Sequence, residues 1–253
     1  MKILFIGDVF GKAGRQILTQ KLPDLIKKEK SDLIIANVEN ICHGKGTRYK
    51  DVLLLKSLGI NIFTGGNHTF DNKEIFKVFE KEPYVLRPAN YPQGVPGKGY
   101  CVFQDVLVIN LLGRVFLKEG LDSPFQVINI ILKKHQNTKL KAIIVDFHAE
   151  TTSEKQALFH YLDGQVSALF GTHTHVQTAD ERISSQGTAF ITDVGFTGPE
   201  DSIIGMEKDV VLQKFLTALP AKFKPSEKNK ILCAVSITVN NKKAEDIKRI
   251  YLR

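Results

Sequence analysis

Ser167–Asp180, SALFGTHTHVQTAD, puts His173, Thr174 and His175 directly after a short apolar run. In an extended segment residues i and i+2 point to the same side, about 6–7 Å apart at the Cα. The spacing therefore predicts that His173 and His175 send two imidazoles into one cavity. Taken alone, a His-x-His pair suits two loop histidines as well as it suits a metal site. What decides the matter is whether other strand ends aim ligands at the same place.

They do so repeatedly. KILFIG, residues 2–7, reads as a buried strand with Asp8 at its carboxyl end. A loop with Gly11, Gly14 and Arg15 leads into a helix whose apolar residues Ile17, Leu18, Leu22, Leu25 and Ile26 keep helical spacing. A glycine loop entering a helix can hold an anion on free N–H groups, although G-x-x-G alone is common. LIIANV, residues 33–38, ends in Glu39 and Asn40, and is followed by HGKGTRYK and a helical DVLLLKSLG. The strand Ile60–Phe63 delivers Gly65, Gly66, Asn67 and His68 before helical spacing resumes in NKEIFKVFEKE. AIIVDF, residues 142–147, ends at His148, with the helical SEKQALFHYLDG behind it, and Val166–Phe170 carries the opening triplet.

Other segments break the alternation of strand and helix. Tyr100–Phe103 and Val106–Leu111, separated by Gln104 and Asp105, read as a hairpin. TAFITDVG and ILCAVSITVNNKKAEDIKRIYLR alternate apolar and polar residues, with Asn240 and Asn241 as a hairpin turn. The class is α/β, but a simple parallel, doubly wound sheet does not accommodate the hairpins. Without an internal repeat, a low-complexity linker or a shift in composition, residues 1–253 read as a single domain.

In α/β proteins the carboxyl ends of strands line the ligand crevice. Asp8, Glu39 with Asn40, Asn67 with His68, His148, and His173 with His175 are thus expected in one pocket. Singly, a strand-end Asp is most often a cap and an Asn a turn former; His135 and His160 stand in helical contexts without partners and read as ordinary. Together the strand-end residues make a metal-binding set. Asp8 and Glu39 supply anionic oxygens, the imidazoles of His148, His173 and His175 add neutral nitrogens, and Asn supplies a carbonyl without further charge. This exceeds the three or four protein ligands of one catalytic zinc and fits two metals, a device for phosphoryl hydrolysis. The mixed ligands suit two divalent or trivalent ions of iron or manganese best and leave zinc open.

Composition sets wider bounds. The 253 residues include 43% hydrophobic and 25% charged positions, which excludes a disordered or fibrous chain. No apolar run approaches the roughly 20 residues of a membrane helix, and Asp8 interrupts MKILFIGDVF too early for a signal peptide. A cytoplasmic location and no membrane partner are expected. Cys42, Cys101 and Cys233 lack any C-x-x-C spacing. Cys42, close to the strand-end set, reads as a buried or loop residue before it reads as a ligand. The formal charge of +8 would suit RNA, but the lysines are scattered, so a solvated surface is the better reading and the charge favours phosphate chemistry only weakly.

The order Asp8, Glu39, Gly66-Asn67-His68, His148 and Gly171-Thr172-His173-Thr174-His175 resembles the calcineurin-like metallophosphoesterase signature, D-x-H, G-D, G-N-H, H, G-H-x-H. Phe10 stands where that superfamily has His, and Glu39 where it usually has Asp. With these departures, GDVFGKAGR, NVEN, GGNHTFD, RPANYP, NLLGR, DFHAETTSEK, GTHTHVQTADE and TDVGFTGP are similar to the bacterial YmdB family, from Ile6 to about Phe223. The resemblance implies a four-layer metallophosphoesterase fold, with two mixed β-sheets packed face to face and helices outside. It also implies a di-iron or similar centre and phosphodiesterase activity on 2',3'-cyclic nucleotides, a metal-held hydroxide attacking phosphorus in line. Glu39 would bridge the ions. Asp8, Asn40 and His175 would hold one, Asn40 replacing the histidine missing at position 10; Asn67, His148 and His173 would hold the other. His68 is left outside the ligand set, placed to give a proton to the leaving alkoxide or to stabilise the developing phosphate charge. Asp71 could orient it or simply open the next helix.

The competing readings are a broad phosphomonoesterase or RNA phosphodiesterase, a nucleotide- or RNA-binding regulatory protein, and a mononuclear amidohydrolase. The natural substrate, the residues binding it, the oligomeric state (a homo-oligomer is compatible) and the role of Gly44–Tyr49, a basic loop beside Glu39, are not legible in the sequence.

Overall fold

The computed structural model describes residues 1–117 and 120–253. The elements run β1 (Lys2–Ile6), β2 (Asp8–Val9), α1 (Gly11–Glu29), β3 (Leu33–Asn37), α2 (Tyr49–Ser57), β4 (Ile62–Thr64) and α3 (Glu74–Lys81). The hairpin β5 (Tyr100–Phe103) and β6 (Val106–Leu112) follows, then α4 (Pro124–Lys134), β7 (Ala142–His148), α5 (Thr152–Leu162) and β8 (Ala168–Thr172). The last third contains β9 (Arg182–Ile183), β10 (Ala189–Ile191), β11 (Phe196–Pro199), α6 (Lys208–Thr217), β12 (Lys230–Asn240) and β13 (Lys243–Leu252).

Two mixed sheets result. The first runs β2-β11-β12-β1-β3-β4, with β13 also on β12; the second runs β5-β6-β7-β8-β10-β9. Period-2 alternation assigns each strand's side chains to two layers. In β1, Ile3 and Phe5 face the second sheet and join Val108, Ile144 and Phe170 in the core between the sheets, where the Phe5 and Phe170 rings lie 5.1 Å apart. Leu4 and Ile6 face the other way, onto Leu18 and Leu22 of α1 and Val52 and Leu55 of α2. On the outer face of the second sheet, Leu107, Val145 and Leu169 pack against Ile128 of α4 and Leu158 of α5. Helix, sheet, sheet and helix make the four layers that the resemblance implied. The central strands are buried on both faces, which explains why β1, β3 and β7 are nearly continuous apolar runs.

Three expectations need correction, and one helix is additional to them. The turn between β12 and β13 is Asn241-Lys242, one residue later than expected, because Asn240 still pairs with Lys243 and the two residues with positive φ are 241 and 242. TAFITDVG is not one strand: pairing stops at Ile191, and Asp193 turns its carboxylate inward to accept hydrogen bonds. The Gly11–Arg15 segment is no anion cradle, since Arg15 donates to the Ile41 carbonyl (2.6 Å) and pairs with Asp51, while Gly11 N–H donates to the Asn40 carbonyl. Helix α6 was not anticipated; only Val211 of its residues is buried, so the usual inward apolar stripe is missing. The three cysteines are free and buried, with Cys42 Sγ accepting from Asn72 Nδ2 (3.4 Å). No helix among the described residues is long and apolar enough to cross a membrane.

Candidate metal centre

The carboxyl ends of β3, β4, β7 and β8 and the short strand β2 meet at one edge of the sheet pair, bringing Asp8, Glu39, Asn67, His148 and His173 together. The triplet arrives differently from the expected extended segment. β8 ends at Thr172, and His173 (φ 103°) and His175 (φ 65°) adopt positive φ in a turn. Such backbone costs about 1–3 kcal/mol per residue and persists only where surroundings impose it. Here His173 N–H donates to Asp8 Oδ2 (3.0 Å), and Thr174 donates through N–H (3.0 Å) and Oγ1 (2.8 Å) to Asp193 Oδ2. Asp193 is itself paired with Lys155 Nζ (2.9 Å), both side chains being fully buried. Lys155→Met is expected to cost about 3–5 kcal/mol by stranding the Asp193 charge, read as a lowered urea midpoint in equilibrium unfolding.

Each imidazole has one nitrogen tied to an outer partner. Thr172 Oγ1 donates to Asp146 Oδ1 (2.8 Å), so it accepts from His148 Nδ1 (2.9 Å). His173 Nε2 donates to Glu150 Oε2 (2.8 Å) and His175 Nδ1 to the Ile204 carbonyl (3.1 Å). The His175 ring is stacked on Phe196, 5.2 Å between centroids, with Phe10 edge-on to it. These outer bonds fix the tautomers and turn the remaining lone pairs inward. His148 Nε2 thereby stands 3.1 Å from Glu39 Oε1, 3.1 Å from Asn67 Oδ1 and 3.0 Å from His173 Nδ1. With His148 Nε2 unprotonated, these four atoms turn lone pairs toward one another, an arrangement that a cation among them would relieve. Donor atoms of Glu39, His148 and His173 all fall within 4.8 Å of one another, a group able to hold a metal ion.

The second half of the expected set adjoins the first. Asn40 Nδ2 lies 3.1 Å from both Glu39 Oε1 and His175 Nε2; turning the amide over presents its carbonyl to the same place. Asp8 Oδ1 is buried and has no hydrogen-bond partner among the described residues, an uncommon condition that an ion would relieve. The electrostatics agree. Burial, with Glu39 and Asp193 nearby, pushes the Asp8 carboxyl up to about 8. Burial also opposes charge on His148, yet Glu39, Asp8 and Asp146 outweigh it and lift that imidazole to about 9. Burial and His148 together push His173 down to about 3, keeping its ring neutral. Carboxylates and imidazoles buried this close hold protons that a bound cation would displace, and their donor atoms suit transition metals.

His68 stands beside this cluster. Its N–H donates to Glu39 Oε2 (2.9 Å), and its Nδ1 meets Asp71 Oδ2 at 2.8 Å. Asp71 precedes α3, so the carboxylate serves the ring and not the helix end. Gly66 allows Glu39 and His148 to come so close: a Cβ there would fall 2.1 Å from Glu39 Oε2 and 2.5 Å from His148 Nε2.

A polar layer beneath the cluster was missed in the sequence. Asp146 Oδ2 accepts from Asn37 Nδ2 (3.0 Å) and Thr64 Oγ1 (2.5 Å), and Asn110 Oδ1 accepts from Gly65 N–H (2.9 Å). Asn37 Oδ1 then accepts from Glu39 N–H (3.1 Å). The signal was present, since Asn37, Asn110 and Asp146 each interrupt an apolar strand. Asp193 and Glu150 were overlooked as well, although both sit just past strand ends.

The family model described as YmdB-like protein matches residues 4–250. The chain belongs to the YmdB-like family. Within its wider kinship, a 2',3'-cyclic-nucleotide 2'-phosphodiesterase of Bacillus subtilis (strain 168) is 46% identical, the alignment covering 100% of this chain and 97% of that protein. A crystal structure of a hypothetical protein from Thermus thermophilus superposes with a TM-score of 0.94 at 39% identity, covering 100% and 99% of the two chains. A Mycoplasma pneumoniae structure described as a novel phosphatase gives 0.94 at 38% identity, covering 100% and 93%. The family's fold therefore extends over the whole chain, and the candidate metal group fits a metallophosphoesterase.

Proposed function

We propose that the chain is a phosphoesterase with two transition-metal ions that hydrolyses 2',3'-cyclic nucleotides. The observation that carries this reading is the inward convergence of lone pairs from His148, His173, Glu39 and Asn67, each imidazole being fixed from outside. Kinship with the Bacillus subtilis phosphodiesterase and the Mycoplasma pneumoniae phosphatase supports the reaction class.

Asn67, His148 and His173 would hold one ion and Asp8, Asn40 and His175 the other, with Glu39 shared between them. When bound, such a pair activates water for in-line attack and neutralises charge on the phosphate oxygens. The chain's own residues do the rest. The turn at His173–His175, pinned by Asp193 and Asp8, keeps both imidazoles in register. Asp71 orients His68 through Nδ1, leaving Nε2 as the atom that hands a proton to the departing ribose oxygen. The apolar floor formed by Phe10 and Phe196 limits water at His175.

The test is a panel at equal metal loading: adenosine 2',3'-cyclic phosphate, adenosine 3',5'-cyclic phosphate, a generic monoester and single-stranded RNA. The reading predicts turnover of the 2',3'-cyclic diester above the rest. Activity on the monoester alone would overturn it.

A further inference from the structure

The candidate metal centre accounts for only part of the lining of the cavity at this site. The cavity has a volume of about 840 Å³ and is lined by Glu39, His68, His173 and His175 and, beyond them, by the apolar Val211, Phe215 and Phe223. This size is that of pockets holding whole drug-sized ligands. These apolar residues belong to a flap, residues 207–224, whose two ends are tied together by Glu207 N–H donating to the Lys224 carbonyl (2.8 Å) and by the bridge between Met206 and Pro225. Between those ties stands α6, with Phe215 81% exposed although it lines the cavity. An aromatic ring left in water forfeits the free energy that burial gives, so a partner is expected on its face.

We propose that Phe215 is a base-stacking platform, taking the nucleobase of the substrate by its flat face. The proposal rests on reading the site as a nucleotide phosphodiesterase: with the diester at the carboxylates and imidazoles, the base is the part of the molecule left for the apolar lining. The chemistry of the wall defines what it accepts. Among the described lining residues, the flap contributes one polar side chain, Lys214, and that ammonium lies over the Phe223 ring, 4.9 Å from its centroid. A wall without amides or hydroxyls cannot read a base edge, whereas every base has a π-face. The platform accordingly takes purines and pyrimidines alike, and favours purines for their larger face. Lys45 enters the same cavity from the loop after Asn40, which gives that basic loop a place beside the anionic diester.

The experiment compares wild type, Phe215→Ala and Phe215→Tyr on two cyclic diesters, adenosine 2',3'-cyclic phosphate and base-free glycerol 1,2-cyclic phosphate. Stacking on one aromatic ring is worth about tenfold in binding. Phe215→Ala is therefore expected to lower the preference for the nucleotide over the base-free diester about tenfold, through KM and not kcat, and Phe215→Tyr to restore it. An unchanged preference in Phe215→Ala, or equal losses on both diesters, overturns the platform. So does a dimer in sedimentation that Phe215→Ala dissociates while both diesters suffer alike, because the exposed face then belongs to a second copy. Wild type turning over both diesters equally removes the platform and leaves the phosphodiesterase reading standing; wild type turning over neither removes that reading and the platform with it.

Discussion

Glu39→Ala is expected to release both metal ions and to reduce turnover by more than the about 10²–10³-fold that removal of a single transition-state contact costs. Glu39 touches both halves of the centre: Oε1 lies 3.1 Å from His148 Nε2 and 3.1 Å from Asn40 Nδ2, while Oε2 accepts from His68 N–H at 2.9 Å. Each ion would lose a ligand at once, and the His68 backbone would lose its anchor. The side chain is 1% exposed, so the substitution also opens a small buried space. Glu39→Gln, which keeps the shape, separates that effect from the loss of charge. Metal content and turnover are to be measured together, with circular dichroism to verify the fold. The rival account, a regulatory protein binding RNA through its lysine-rich surface, predicts salt-sensitive RNA binding that survives Glu39→Ala.

His68→Ala is expected to separate the two functions of the site. The imidazole points toward Asp71 and lines the cavity, and only the backbone of residue 68 touches Glu39. Alanine keeps that N–H, so both ions stay. Loss of the proton donor is expected to lower turnover by about 10²–10⁴, with KM changed far less. Asp71→Asn, which keeps a hydrogen-bonding group near Nδ1 but removes the charge, should fall between wild type and His68→Ala. Normal turnover in His68→Ala with full metal content would remove this residue from the mechanism.

The sequence made most of this legible for a physical reason. Strands buried on both faces, such as β1, β3 and β7, read as apolar runs, and the polar residue at which each run stops is where the chain leaves the core for the crevice. Asp8, Glu39, Asn67, His148 and His173 all follow that rule. The resemblance supplied the four layers, which local pattern could not, because the pairing of β12 with β1 joins residues more than two hundred positions apart. The route of the triplet was misread: local spacing suggested an extended strand, while hydrogen bonds to Asp8 and Asp193 impose a positive-φ turn. Helix α6 escaped notice because its apolar residues face the cavity and solvent instead of a core. Asp146 and Asn37 were hidden inside strands, where a polar residue in an apolar run gives no hint of its partner.

The central claim, that Glu39 joins two metal positions built from Asp8, Asn40 and His175 on one side and Asn67, His148 and His173 on the other, is tested most directly by elemental analysis of the purified chain. Inductively coupled plasma mass spectrometry should find two transition-metal ions per chain in the wild type. One ion per chain, or none after reconstitution with iron, manganese and zinc in turn, would contradict it.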